Sequence, residues 1–139
     1  MSVKIDHRIT CPRCGHKQLS ELWSVVTTKD IHAAQQVRDE RLNRFDCARC
    51  DHRGSVDVSL LYHDLESGYC IQYLCKLDAD RADTYRNINK QGGYVIPHGS
   101  LAKLERMGET CLAFPHFVFS MREMVAYIRF RDRCAQWGV

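Results

Sequence analysis

Cys11-Pro12-Arg13-Cys14-Gly15-His16 and Cys47-Ala48-Arg49-Cys50-Asp51-His52 are two copies of one six-residue pattern. Two residues between paired thiols let both sulfurs of a tight turn face one point. Two such turns supply the four ligands of a tetrahedral ion: Cys11, Cys14, Cys47 and Cys50. Zinc is the metal this donor set serves most often. A closed shell of four sulfurs leaves no position for water, so it argues for one structural Zn2+ ion and against Lewis-acid catalysis. His16 and His52 each stand two residues past the last thiol, an awkward place for closing onto the same ion, and are expected beside the cluster rather than in it.

The competing chemistry for a Cys-x-x-Cys pair is dithiol redox work. That motif belongs at the start of a helix in a βαβ setting, where the helix dipole lowers one thiol's pKa. Neither copy has that setting. Cys70, Cys75, Cys111 and Cys134 are expected to be ordinary buried or half-buried thiols. Tyr62-His63-Asp64 suggests an acid-base pair, but neighbours on a strand point to opposite faces, so Asp64 is expected to cap a turn and His63 to bond locally. Arg129, Arg131 and Arg133, interleaved with Tyr127, Phe130 and Trp137, form either a phosphate-gripping patch or the solvated side of an amphipathic helix. No nucleophile elbow, phosphate loop or zinc-protease helix is found, so catalysis is not expected.

The 139 residues suffice for one domain with a real core. The segment Met1 to Thr10 carries Lys4, Asp6, His7 and Arg8 and has no apolar signal region. No apolar run approaches the roughly 18 residues of a membrane helix. A reducing cytoplasm is therefore expected, where paired cysteines bind metal sooner than they form disulfides. The formal net charge is +3, and four thiolates around one divalent cation would lower it further. Residues 1–55 hold ten Lys and Arg against seven Asp and Glu, short of the dense basic face of a dedicated nucleic-acid binder.

The elements that must position the thiols follow from pattern. Leu19 to Thr27, with Leu22, Trp23, Val25 and Val26, predicts a strand leaving the first knuckle. Asp30 caps a short helix carrying Ile31, Ala33, Ala34 and Val37 on one face. Leu42 to Asp46 predicts an extended arm into the second knuckle. Val56, Val58 and Leu60 alternate with polar neighbours, Asp64 to Gly68 supplies turn chemistry, and Tyr69 to Cys75 returns, which together predict a β-hairpin. Residues 76 to 99 are polar and read as a short helix or a loop. A brief helix follows from Ser100, with Leu101, Leu104 and Met107 inward and Gly108 as its stop. Phe117 to Phe119 predicts a buried strand. Ser120-Met121-Arg122-Glu123 is a capping box, with Phe119 stapling onto Met124, and opens a C-terminal amphipathic helix whose stripe is Met121, Met124, Val125, Ile128 and Ala135.

The run of CPRCG, WSV, LNRFDCARC and LLYHDLESGY closely resembles the CpXC family, small prokaryotic proteins named for paired Cys-Pro-x-Cys motifs. The resemblance is densest over Cys11 to Tyr73, weak over 76–115, and resumes at Phe117. Ala48 stands where the second name-giving proline would be, which does not prevent ligation. The resemblance implies a metal-binding module in a bacterial or archaeal cytoplasm, but no settled biochemical activity.

The expected architecture is thus one α+β domain over 1–139. It comprises a zinc-ribbon-like antiparallel sheet with a β-hairpin, a helix between the knuckles and a C-terminal amphipathic helix. The expected work is binding a protein partner as an accessory or regulatory subunit. A nucleic-acid ribbon for RNA or single-stranded DNA, and a thiol redox protein, are the alternatives. The candidate interaction surface is Tyr62, His63 and Asp64 with Arg129, Arg131, Arg133 and Trp137.

Overall fold

The structure is a computed structural model that describes residues 1–97 and 99–138. Its elements are β1 (Val3–Thr10), β2 (Lys17–Thr27), α1 (Ile31–Arg38), β3 (Arg44–Asp46), β4 (Arg53–Ser55), β5 (Leu60–Asp64), β6 (Tyr69–Tyr73), α2 (Lys76–Ala79), α3 (Ala82–Arg86), α4 (Ser100–Met107), a 3-10 turn at Thr110–Leu112, β7 (His116–Val118) and α5 (Met121–Gln136). The molecule is α+β, with a five-stranded sheet in the order β1-β2-β5-β6-β7 and a separate two-stranded sheet of β3 and β4.

The antiparallel pairings are β1 with β2, β3 with β4 and β5 with β6, whereas β2 with β5 and β6 with β7 run parallel. Parallel neighbours need a crossover of a dozen residues or more. This chain provides two: residues 28–59, which carry α1 and the second knuckle, and residues 74–115. The sheet is therefore mixed where a zinc ribbon alone would be antiparallel.

β1 has no counterpart in the sequence expectations. Val3, Ile5, His7 and Ile9 do alternate with Lys4, Asp6, Arg8 and Thr10, but as an edge strand it buries little, and a weakly apolar alternation is a faint signal. It pairs with β2 along its whole length, so the first knuckle is the turn of a long hairpin.

The core lies on one face of the sheet. Val26, Leu60, Tyr62, Tyr69, Ile71, Tyr73 and Val118 meet Ala33, Ala34 and Val37 of α1 and Met124 and Ile128 of α5, all buried. Asp30 caps α1 as expected, accepting from the Ala33 N–H at 3.2 Å. Ile31, however, is 80% exposed, because the core side of this short helix is set by Ala33, Ala34 and Val37. Arg38 of α1 grips Asp132 of α5 through two contacts of 2.6 and 3.2 Å, tying the two helices together.

α5 begins at Ser120, whose hydroxyl accepts from the Glu123 N–H at 3.1 Å. Glu123 reaches back one residue further than a capping box, accepting from the Phe119 N–H at 2.8 Å. That leaves Phe119 more than half exposed rather than buried against Met124, and Ala135 also faces out. α4 ends at Gly108 in the left-handed conformation as expected, yet none of its residues is buried. Its main neighbour is the 3-10 turn after it, so no core receives Leu101 or Met107.

The expected strand at Val56 to Leu61 starts later, at Leu60. Asp57 and Ser59 are used differently: Asp57 accepts from the Tyr73 hydroxyl and the Lys76 N–H, and Ser59 bonds Asp78 and the Cys75 N–H. These side chains seat the chain that follows β6.

Tyr94 and Cys111, from segment 76–115, lie against the second face of β5 and β6. Tyr94 donates its hydroxyl to Gln72 at 2.9 Å, and Cys111 reaches Cys70 and His63. No helix among the described residues is long and apolar enough to cross a membrane.

Candidate metal centre

Both knuckles are hairpin turns built alike. The Cys11 N–H donates to the His16 carbonyl at 2.8 Å, and the Cys47 N–H donates to the His52 carbonyl at 3.0 Å. The repeated histidines thus close their turns through backbone oxygens, five residues past the first thiol. Gly15 takes a φ of 75°, which lets its N–H return to the Cys11 carbonyl at 2.9 Å.

What brings the turns together is the path of the chain. α1 runs back along β2, so that β3 and β4 lie beside the knuckle end of β2. Three side-chain contacts fix them there. Gln18 donates to the Asp46 carbonyl at 3.0 Å and accepts from the Ala48 N–H at 2.9 Å. Asn43 accepts from the Trp23 N–H at 2.7 Å and donates to the Trp23 carbonyl at 2.9 Å, imitating a strand neighbour where β5 has not yet begun. Asn43 does this from a left-handed φ of 56°, a conformation asparagine tolerates better than most residues. Phe45, 3% exposed, packs with Cys11 and Cys47 under the cluster, with Ile9 and Val56 around it. Burying such a ring stabilises by about 1.5 to 3 kcal/mol.

The four sulfurs converge. All lie within 4.8 Å of one another, with Cys11 to Cys50 at 3.7 Å and Cys14 to Cys47 at 3.5 Å. Four thiolates about 2.3 Å from a tetrahedral ion stand about 3.8 Å apart. The two shortest-range pairs are near that value, and all four sulfurs lie close enough to share one ion. Cys11 and Cys47 are buried, Cys50 is half-buried and Cys14 is exposed.

The electrostatics suit anionic sulfur. Burial alone would raise the Cys47 thiol, but the N–H groups of Cys50 and Arg49, each 3.4 Å from its Sγ, and the neighbouring thiols bring it down to about 6. Cys11 is likewise held below the ordinary thiol range: burial pushes up, while the N–H groups of Cys14 and Arg13 and the Cys50 thiol pull down more. At Cys50 the His52 N–H lowers the pKa, yet burial and the surrounding thiols prevail and push it up to about 12. A divalent cation held by these four sulfurs would complete the ionisation that the backbone begins, with release of the remaining protons.

The other expected site residues are scattered. Tyr62, His63 and Asp64 are 0%, 6% and 7% exposed, so they offer no surface to a partner. The reason is position: β5 is an interior strand, with β2 and β6 on either side. Asp64 does cap its turn, accepting from the Ser67 N–H at 2.8 Å. Arg131 is half-buried with its guanidinium 4.6 Å above the Tyr69 ring, whereas Arg129, Arg133 and Trp137 are exposed on α5. Sequence reasoning passed over one grouping, His63 with Cys70 and Cys111. The hairpin carried a signal for half of it, since pairing Asp64 with Tyr69 sets His63 opposite Cys70.

No curated protein and no solved structure gives a significant match to the chain. The family described as CpXC protein matches residues 9–137, spanning the segment 76–115 as well as both knuckles. With its four-cysteine cluster assembled from the paired motifs, the chain belongs to the CpXC family.

Proposed function

We propose that this protein is a structural zinc-binding module that works as an accessory or regulatory subunit by docking on another protein. The closed four-sulfur cluster supports the first half: its donor set and spacing suit zinc and offer no vacant position for a substrate. It clamps two hairpins whose ligands are 33 and 39 residues apart in sequence. The metal thereby holds a surface in shape.

The outer face of α5 carries the second half. Phe130 and Trp137 are 56% and 75% exposed and stand seven residues apart, two helical turns along one stripe with Arg133 between them. Large aromatics beside arginine are what interfaces use as anchors, and so much exposed aromatic surface is unusual on a chain without a partner. Arg129 flanks the stripe.

The test uses the tagged full chain and a Phe130→Ser, Trp137→Ala double variant, purified from the native host. The expected result is one protein recovered with the unaltered chain, lost from the variant, and rebound by the purified chain on its own. Metal content should be equal in both, and stability within about 0.5 kcal/mol, as for surface changes in general. Retention on heparin that falls steeply with salt, with nucleic acid as the recovered species, would favour the nucleic-acid reading instead. Rapid reduction of a model disulfide would favour redox work.

A further inference from the structure

The geometry points to a second metal site, made by His63, Cys70 and Cys111, for a thiophilic cation of the zinc type. His63 and Cys70 are directly paired across β5 and β6, so their side chains share one face of the sheet. That face is opposite the core, since the alternate residues Tyr62 and Ile71 point into it. The 3-10 turn of segment 76–115 delivers Cys111 to this second face. The three ligand atoms all lie within 4.8 Å of one another.

The distances suit a shared ion. His63 Nε2 stands 3.5 Å from Cys111 Sγ, and an imidazole and a thiolate on one tetrahedral zinc stand about 3.5 Å apart. Cys70 and Cys111 are 2.9 Å apart, so their sulfurs must open by about 0.9 Å to reach the thiolate spacing of a zinc site. Cys111 can make that movement, being half-buried on a turn rather than on a strand. Binding would displace the S–H protons of Cys70 and Cys111 and use a ring-nitrogen lone pair of His63.

Cys2His is the donor set of an ion with one position left over. The two sulfurs form part of the wall of a surface groove that also holds His116, Tyr127 and Arg131. The free position is then open to exchange, unlike the closed four-sulfur cluster. His116 stacks on Tyr127 at 4.0 Å, which fixes that side of the groove.

The test compares the full chain with Cys111→Ser, the ligand least needed for packing, each loaded with zinc under a non-coordinating reductant and desalted. Circular dichroism checks that both fold. The unaltered chain should hold about two zinc ions and the variant about one, because each cluster takes a single ion. Cobalt in place of zinc should lose in the variant the absorption bands of one of two distinct sites. A single ion lost entirely in the variant would uphold this site while refuting the four-sulfur one. Equal metal content in the two chains would overturn the proposal, as would a Cys70–Cys111 disulfide in the reduced, zinc-loaded chain.

Discussion

Asn43 is the joint between the two knuckles, and Asn43→Ala measures what the joint is worth. The substitution removes both bonds to the Trp23 backbone and places a Cβ-bearing residue without a compensating side chain at a φ of 56°. Two net hydrogen bonds at part-buried positions are worth about 1 to 3 kcal/mol together. The left-handed backbone adds about 1 kcal/mol, giving a loss of about 2 to 4 kcal/mol. Asn43→Gly separates the contributions, since glycine accepts the backbone conformation and should lose only the hydrogen-bond part. Urea unfolding of the zinc-loaded chain reads both. Because the joint sets the second hairpin against the first, chelator competition should also show weaker metal binding in Asn43→Ala, about tenfold for each 1.4 kcal/mol that the joint contributes to closure. A stability loss under about 0.5 kcal/mol for Asn43→Ala would refute the idea that side-chain mimicry of a strand holds the knuckles together.

Two further outcomes test the packing of the core and its helices. Asp132→Ala should cost about 1 kcal/mol or less, because the Arg38–Asp132 pair is bidentate but more than a third exposed, and the loss should shrink in high salt. Of the six tyrosines, Tyr62, Tyr69, Tyr73 and Tyr94 are pushed above the ordinary phenol value, chiefly by burial. The fold therefore holds these protons more tightly than the unfolded chain does. Their contribution is intact below pH about 10 and is lost as pH rises beyond it, so phenolate absorbance should appear for these four only together with alkaline unfolding. Phenolate growth from all six with the fold intact would contradict their burial.

The candidate metal ligands were the most legible part of the molecule, since spacing alone brings Cys11 to Cys14 and Cys47 to Cys50. Helix α1 was readable from Asp30 and the recurrence of Ala33, Ala34 and Val37, and α5 from Ser120 and Glu123. Strand β1 was not, because an edge strand with Lys4, Asp6 and Arg8 on it lacks the apolar contrast that marks a buried strand. Long-range pairing explains the other misses. Nothing local to Tyr62, His63 and Asp64 says that β2 closes the side of their strand away from the hairpin partner, and nothing local to Asp57 says that it will meet Tyr73. His63, Cys70 and Cys111 fall between the two cases: the hairpin turn encodes the first pairing, while Cys111 arrives through a crossover that no short-range pattern specifies.

The central claim is that the two knuckles share one metal ion held by Cys11, Cys14, Cys47 and Cys50. Zinc-edge X-ray absorption of the Cys111→Ser chain isolates that centre. The expected spectrum is one zinc surrounded by four sulfurs at about 2.3 Å, with no nitrogen or oxygen in the shell. Cys14→Ser in the same background, altering the exposed ligand, should change that shell or abolish metal binding. A shell dominated by nitrogen or oxygen, or a folded chain that takes up no metal while these four thiols react freely, would contradict it.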